Sequence, residues 1–105
     1  MKGYARITWS SGSAVLDTGR SKNISNLYSV AGEENYFVCF TLSSTPRSLS
    51  VTGESSLVAV PSGAFKDGTG WTQSSIGSIC DGNGSGANAG IELYNGSSPI
   101  LVTLF

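Results

Sequence analysis

The run Asn35-Tyr36-Phe37-Val38-Cys39-Phe40-Thr41-Leu42 reads as a β-strand that is greasy on both sides. In an extended chain successive side chains point in opposite directions, so Tyr36, Val38, Phe40 and Leu42 share one face and Phe37, Cys39 and Thr41 the other. A strand of aromatic and β-branched residues with two apolar faces needs cover above and below. It is predicted to lie in the middle of a sheet, one face filling a sandwich and the other meeting the second sheet or a neighbouring subunit.

Working outward from this strand, the same alternation recurs. Residues 3–9 place Ala5, Ile7 and Trp9 on one side and Tyr4, Arg6 and Thr8 on the other, a half-buried strand with Trp9 in the core. Ser10-Ser11-Gly12-Ser13 supplies turn chemistry before Ala14-Val15-Leu16, which predicts a hairpin. A polar loop over 17–23 precedes an extended piece marked by Ile24, Leu27, Tyr28 and Val30. Downstream, Pro46 keeps residues 43–47 out of any ladder. Residues 49–52 and 57–60 read as a strand pair closed by 61–63, with loop from 64 to 70. Ile76 and Ile79 suggest a strand ending near Cys80, and the glycine-dense run 81–90 reads as loop. Asn95-Gly96 is a hairpin signal between strands at 90–94 and 99–105. The apolar end Ile100-Leu101-Val102-Thr103-Leu104-Phe105 is expected to pack inside a sheet or an interface. No helix-period segment stands out. Eight to ten short strands predict an all-β fold, an antiparallel, jelly-roll-like β-sandwich.

With 105 residues the chain is one domain, 1–105. Only 12% of residues are charged, against about 25% in typical globular proteins, and the net charge is -1. Six scattered Lys and Arg make no basic patch, which argues against nucleic acid as a partner. No signal peptide or membrane-spanning run is visible. Cys39 and Cys80 can bridge if their strands are neighbours; an apolar strand cysteine more often behaves as a small hydrophobe. With no histidine and no CxxC spacing, a Cys/His zinc site is excluded.

Several segments occur in a telling order: Ala5-Arg6-Ile7-Thr8-Trp9, Ser21-Lys22-Asn23-Ile24-Ser25-Asn26-Leu27, the Gly32 turn into Tyr36-Phe37-Val38-Cys39-Phe40-Thr41, and Val102-Thr103-Leu104-Phe105. Together they resemble the C-terminal β-domain of many bacteriophage tail-fibre and related virion proteins. There an "ARV" strand is followed by an "NVSS" segment, a "GTGDY" turn into a "YTVTF" strand, and a final "VAVF"-like strand. Asn35 stands where that turn has aspartate. The resemblance implies a non-enzymatic virion module, assembled in a bacterial host's cytoplasm, that packs as a homotrimer beside other virion proteins and binds a host-surface glycan or protein. The domain begins at Met1 without a stalk, so it is expected to be either an excised fragment or a stand-alone small virion protein, and the second option favours the alternative of a capsid decoration protein bound to the virion shell.

Candidate ligand-binding residues are Trp71, Asp67, Asn83 and Asn88, on host-facing loops 64–71 and 81–90. The Trp71 indole sits between a glycine-rich turn and a polar segment, where it can stack on a sugar ring; a core tryptophan is the competing reading. Asp81, Asn83, Ser85, Gly86 and Glu92 satisfy the spacing of a calcium loop. The absence of flanking helices and the presence of Asn88 at the usually apolar eighth position weigh against it, so no cofactor is favoured. Without histidine there is no Ser-His-Asp triad, and the acids offer no evident catalytic pair beyond the adjacent Glu33 and Glu34.

Overall fold

A computed structural model of the chain describes residues 1–32, 35–54, 62–84, 86–94 and 98–105. Along the chain run β1 (Gly3–Ser10), β2 (Ser13–Leu16), β3 (Ile24–Ala31), β4 (Tyr36–Leu42), β5 (Leu49–Gly53), β6 (Ser62–Phe65), α1 (Ser74–Asn83), β7 (Ala89–Leu93) and β8 (Ile100–Leu104). A 3-10 turn at Thr18–Arg20 follows β2. The strands form two antiparallel four-stranded sheets, ordered β2-β1-β8-β5 and β3-β4-β7-β6. β8 lies between β1 and β5, and β7 between β4 and β6, so the last two strands slot between strands laid down earlier. That interleaving is jelly-roll-like, and the all-β sandwich expected from the sequence is what the chain forms.

β4 is an inner strand, paired to β3 and β7. Its Val38, Phe40 and Leu42 enter the sandwich core with Ile91 and Leu93 of β7, Ala5 and Ile7 of β1, and Ile100, Val102 and Leu104 of β8. Burying each such aliphatic or aromatic side chain is worth roughly 1.5–3 kcal/mol, so this layer is the main source of stability. Trp9 is half-buried against the same core. Its Nε1 donates to the Ser98 carbonyl at 2.9 Å and its ring meets Tyr36 edge-on at 5.6 Å. The β1–β2 turn has Ser11 at φ 51° and Gly12 at φ 81°, two successive left-handed residues that match the twist of a two-residue hairpin.

The opposite face of β4 is covered by α1. Phe37, Cys39 and Ala64 on the sheet pack with Ile76 and Cys80 on the helix and with Ala87, a second cluster separate from the sandwich core. Cys39 and Cys80 form a disulfide with Cα atoms 5.7 Å apart, which corrects the expectation of two small hydrophobes. The helix corrects a second expectation, of a strand ending near Cys80 and loop over 81–83. Ile76, Ile79 and Cys80 follow helical spacing, but the segment is so rich in Ser and Gly that its own preference is weak. Close approach compensates: a Cβ on Gly90 of β7 would lie 2.7 Å from Cys80 Sγ and 2.9 Å from Ile76 Cγ2, so only glycine lets α1 sit this near the sheet.

Two further expectations change. Residues 62–65 form an edge strand on β7 rather than a turn and loop, because Phe65 and Ala64 find register partners in Ala89 and Gly90. β7 and β8 belong to different sheets and do not pair with each other, which corrects the expected hairpin of the two strands; Asn95 and Gly96 lie outside the described residues. The anticipated strand at 57–60 also lies outside them. β5 pairs with β8, and the C-terminal strand is held at the centre of its sheet.

Candidate binding groove on the open sheet

The helix makes the two outer faces of the sandwich unequal. Among the described residues no helix like α1 lies over the β2-β1-β8-β5 sheet, only the short 3-10 turn beside it, and alternation places Tyr4, Arg6, Leu101 and Thr103 on its outer face. Tyr4 is 41% exposed and Leu101 40%, high values for large side chains in the middle of a sheet. They line an open groove of about 540 Å³ together with Arg6, Gly19, Arg20 and Glu54.

Arg6 organises the groove. Its guanidinium reaches across β8 to Glu54, with Nε 2.7 Å from Oε1 and Nη2 3.3 Å from Oε2, and its Nη1 lies 3.2 Å from Asp17 Oδ2. This fork-to-fork geometry fixes both planar groups. The hydrogen bond from Arg6 holds the Glu54 carboxyl below its ordinary range, and the same bond raises Arg6. Arg20, on the 3-10 turn, adds a second positive charge that also favours the Glu54 carboxylate. Arg6, Arg20 and Glu54 line the groove and Asp17 pairs with Arg6 from beside it, so two cations and two anions converge here as fixed donors and acceptors. Beside them stand the aromatic body of Tyr4 and the aliphatic Leu101.

The residues expected to bind ligand are placed elsewhere and carry internal partners. Trp71 is half-buried; its ring packs on Gly77 of α1, where a Cβ would run into the indole, and its Nε1 donates to Asp81 Oδ2 at 3.1 Å. The Lys66 ammonium lies 5.6 Å from the Trp71 ring centroid and 3.9 Å from Asp81 Oδ1. Asp67 accepts from the backbone amide and hydroxyl of Thr69 at 2.9 and 2.7 Å, which lowers its pKa and closes its own turn. Asn83 donates to the Ile79 carbonyl within α1. Asn88 clamps β4: its Oδ1 accepts from Leu42 N at 2.7 Å and its Nδ2 donates to Leu42 O at 3.1 Å. The structure therefore brings Trp71 together with Lys66 and Asp81, while Asp67, Asn83 and Asn88 serve separate local bonds.

The calcium-loop spacing does not fold as a loop. Asp81 and Asn83 occupy the last turn of α1, and Glu92 lies in β7, where it accepts from Asn35 Nδ2; Ser85 is outside the described residues. Helical and extended backbone at the two ends replaces the continuous ligand loop that such a site needs. Among the described residues no three acidic or cysteine side chains group to hold a metal, and no helix is long and apolar enough to cross a membrane.

Of the groove residues, only Tyr4 and Arg6 were legible as outward-facing, from the alternation of β1. Glu54 and Asp17 come from ends of other strands, and their convergence is a product of topology. Comparison with protein-family models, curated proteins and solved structures returned no significant match.

Proposed function

We propose that the chain is a non-enzymatic surface module of a bacteriophage virion, a receptor-binding domain of tail-fibre type, working as a homotrimer, that holds a host-surface glycan in the groove around Arg6. The observation that carries this reading is the groove itself: an aromatic body, an aliphatic side chain and a neutral, pre-oriented guanidinium–carboxylate network on a rigid sheet. Sugar hydroxyls can donate to Glu54 while C–H faces lie on Tyr4 and Leu101, the mixture of apolar walls and a few fixed polar groups typical of small-ligand sites. Because Arg6 is already paired with two carboxylates, a neutral saccharide suits the groove better than an acidic one. The order of the segments that resemble tail-fibre domains supports the same reading.

A glycan array probed with the purified chain tests it. Binding to neutral saccharides, abolished by Tyr4→Ala and retained by Trp71→Ala, is the expected result; absence of any glycan binding removes the proposal.

A second reading draws on the same face. Tyr4, Val15 and Leu101 are exposed on one side of the sheet, and three exposed large apolar side chains around a polar centre also suit a capsid decoration protein docked on a virion shell. Locating the chain in a virion density map separates the two, since a decoration protein sits on the shell and a receptor-binding module at a tail or spike tip.

A further inference from the structure

We propose that the Cys39–Cys80 disulfide is a redox latch for α1: the helix docks on its sheet when the bond is closed and leaves it when the bond is reduced, while the sandwich stays folded. The first ground is the weakness of the helix by itself. α1 is ten residues long and contains three serines and two glycines. It has no side-chain cap at Gln73, no acid in its first turn and no base in its last. Isolated helices shorter than about 12–15 residues are marginal in water even with better sequences, so α1 exists through its contacts.

Those contacts all lie outside the sandwich core. Ile76 sits over Gly90 and packs with Phe37 and Ala64, Gly77 rests on Trp71, Asp81 accepts from Trp71 Nε1 and pairs with Lys66, and the Cys80 carbonyl accepts a 2.7 Å hydrogen bond from the Tyr28 hydroxyl. The sandwich core contains no residue of α1, so undocking the helix removes nothing from it. Opening the latch thus releases one layer locally, in the manner of a low-stability cooperative unit.

The chemistry is thiol–disulfide exchange. A dithiol reductant breaks the Sγ–Sγ bond, delivers two electrons and two protons to leave two cysteine thiols, and closes into its own disulfide. Relatching is the reverse: the two thiols give two electrons and two protons to a small-molecule disulfide of the glutathione type. Both cysteines are fully buried, so a reductant reaches the bond only when α1 lifts. Reduction therefore traps the undocked state, and a chain made in a reducing compartment acquires its helical layer after it meets oxidising surroundings.

Hydrogen exchange with mass spectrometry tests this on the oxidised chain, before and after dithiothreitol, with complete reduction checked by intact mass. The expected result is exchange at least tenfold faster, an order of magnitude, over 76–83, with β1 and β8 within about twofold of their oxidised rates, and recovery on adding glutathione disulfide. Unchanged protection of the helix overturns the proposal. So does simultaneous acceleration of helix and sandwich, which would make the bond a staple for the whole domain. Cys39→Ala/Cys80→Ala is expected to reproduce the reduced pattern; its failure to fold counts against the latch as well.

Discussion

Arg6 in β1 and Glu54 just beyond β5 meet over the intervening strand β8, Nε 2.7 Å from Oε1, although 48 residues separate them in the chain. The contact has a pH signature. Glu54 has a folded pKa below its ordinary value, chiefly through the Arg6 hydrogen bond. Its stabilising contribution is therefore complete above the ordinary glutamate pKa of about 4.3 and is lost as pH falls through the lower folded value. Asp67, lowered by the Thr69 amide, acts in the same direction. Urea titrations from about pH 6 to pH 2 should show stability falling on the acid side, with a shallower fall in Glu54→Gln. Identical acid limbs for the two proteins would contradict the pairing.

Gly77 is where the Trp71 ring packs on α1. Adding a methyl group in Gly77→Ala forces the indole or the helix aside, and overpacking of this kind costs about 1–3 kcal/mol. The expected outcome is a lower Tm with a red-shifted tryptophan emission as Trp71 becomes more exposed. A variant as stable as the parent with unchanged emission would show that the contact is looser than described.

How far the chain announced this structure depended on where the information lay. β4, β1 and β8 were legible because alternation is a local signal, and Val38, Ile7 and Val102 each stand at the right parity to enter one core. α1 was obscured because Ile76, Ile79 and Cys80 keep helical spacing inside a Ser- and Gly-rich segment, while the partners that make it a helix, Cys39, Trp71 and Gly90, lie elsewhere in the sequence. β6 was hidden for a related reason: Gly63 and Ala64 have little strand preference and are extended because β7 offers an edge. The groove was legible only in half, through Tyr4 and Arg6. Asn88 looked like a loop ligand, since nothing local distinguishes a polar side chain offered to a ligand from one bound to a distant backbone.

Asn88 supplies the corresponding test. Asn88→Ala removes two hydrogen bonds to Leu42 and leaves a half-buried backbone amide without its side-chain partner, at a cost of about 1–3 kcal/mol. Chemical denaturation should give a lower midpoint with unchanged slope. A loss of glycan binding with full stability would restore Asn88 as a ligand contact.

Calcium offers a further check. With Asp81 and Asn83 on a helix and Glu92 bonded to Asn35 in a strand, adding calcium or EDTA should leave the Tm where it is. An ion bound at about 100 times its Kd would add about 2.7 kcal/mol and raise the Tm by several degrees. Such a rise would mean that the ligands regroup around the ion.

The proposed site of recognition is the groove at Arg6 on the open sheet. Titrating the isotope-labelled chain with a saccharide selected on the array, and following backbone amide shifts by NMR, tests it most directly. The account predicts saturable shifts concentrated at Tyr4, Arg6, Arg20, Glu54, Leu101 and Thr103, with the amides of Lys66, Trp71 and Asp81 unmoved. Shifts confined to Lys66, Trp71 and Asp81, or none at saturating saccharide, would contradict it.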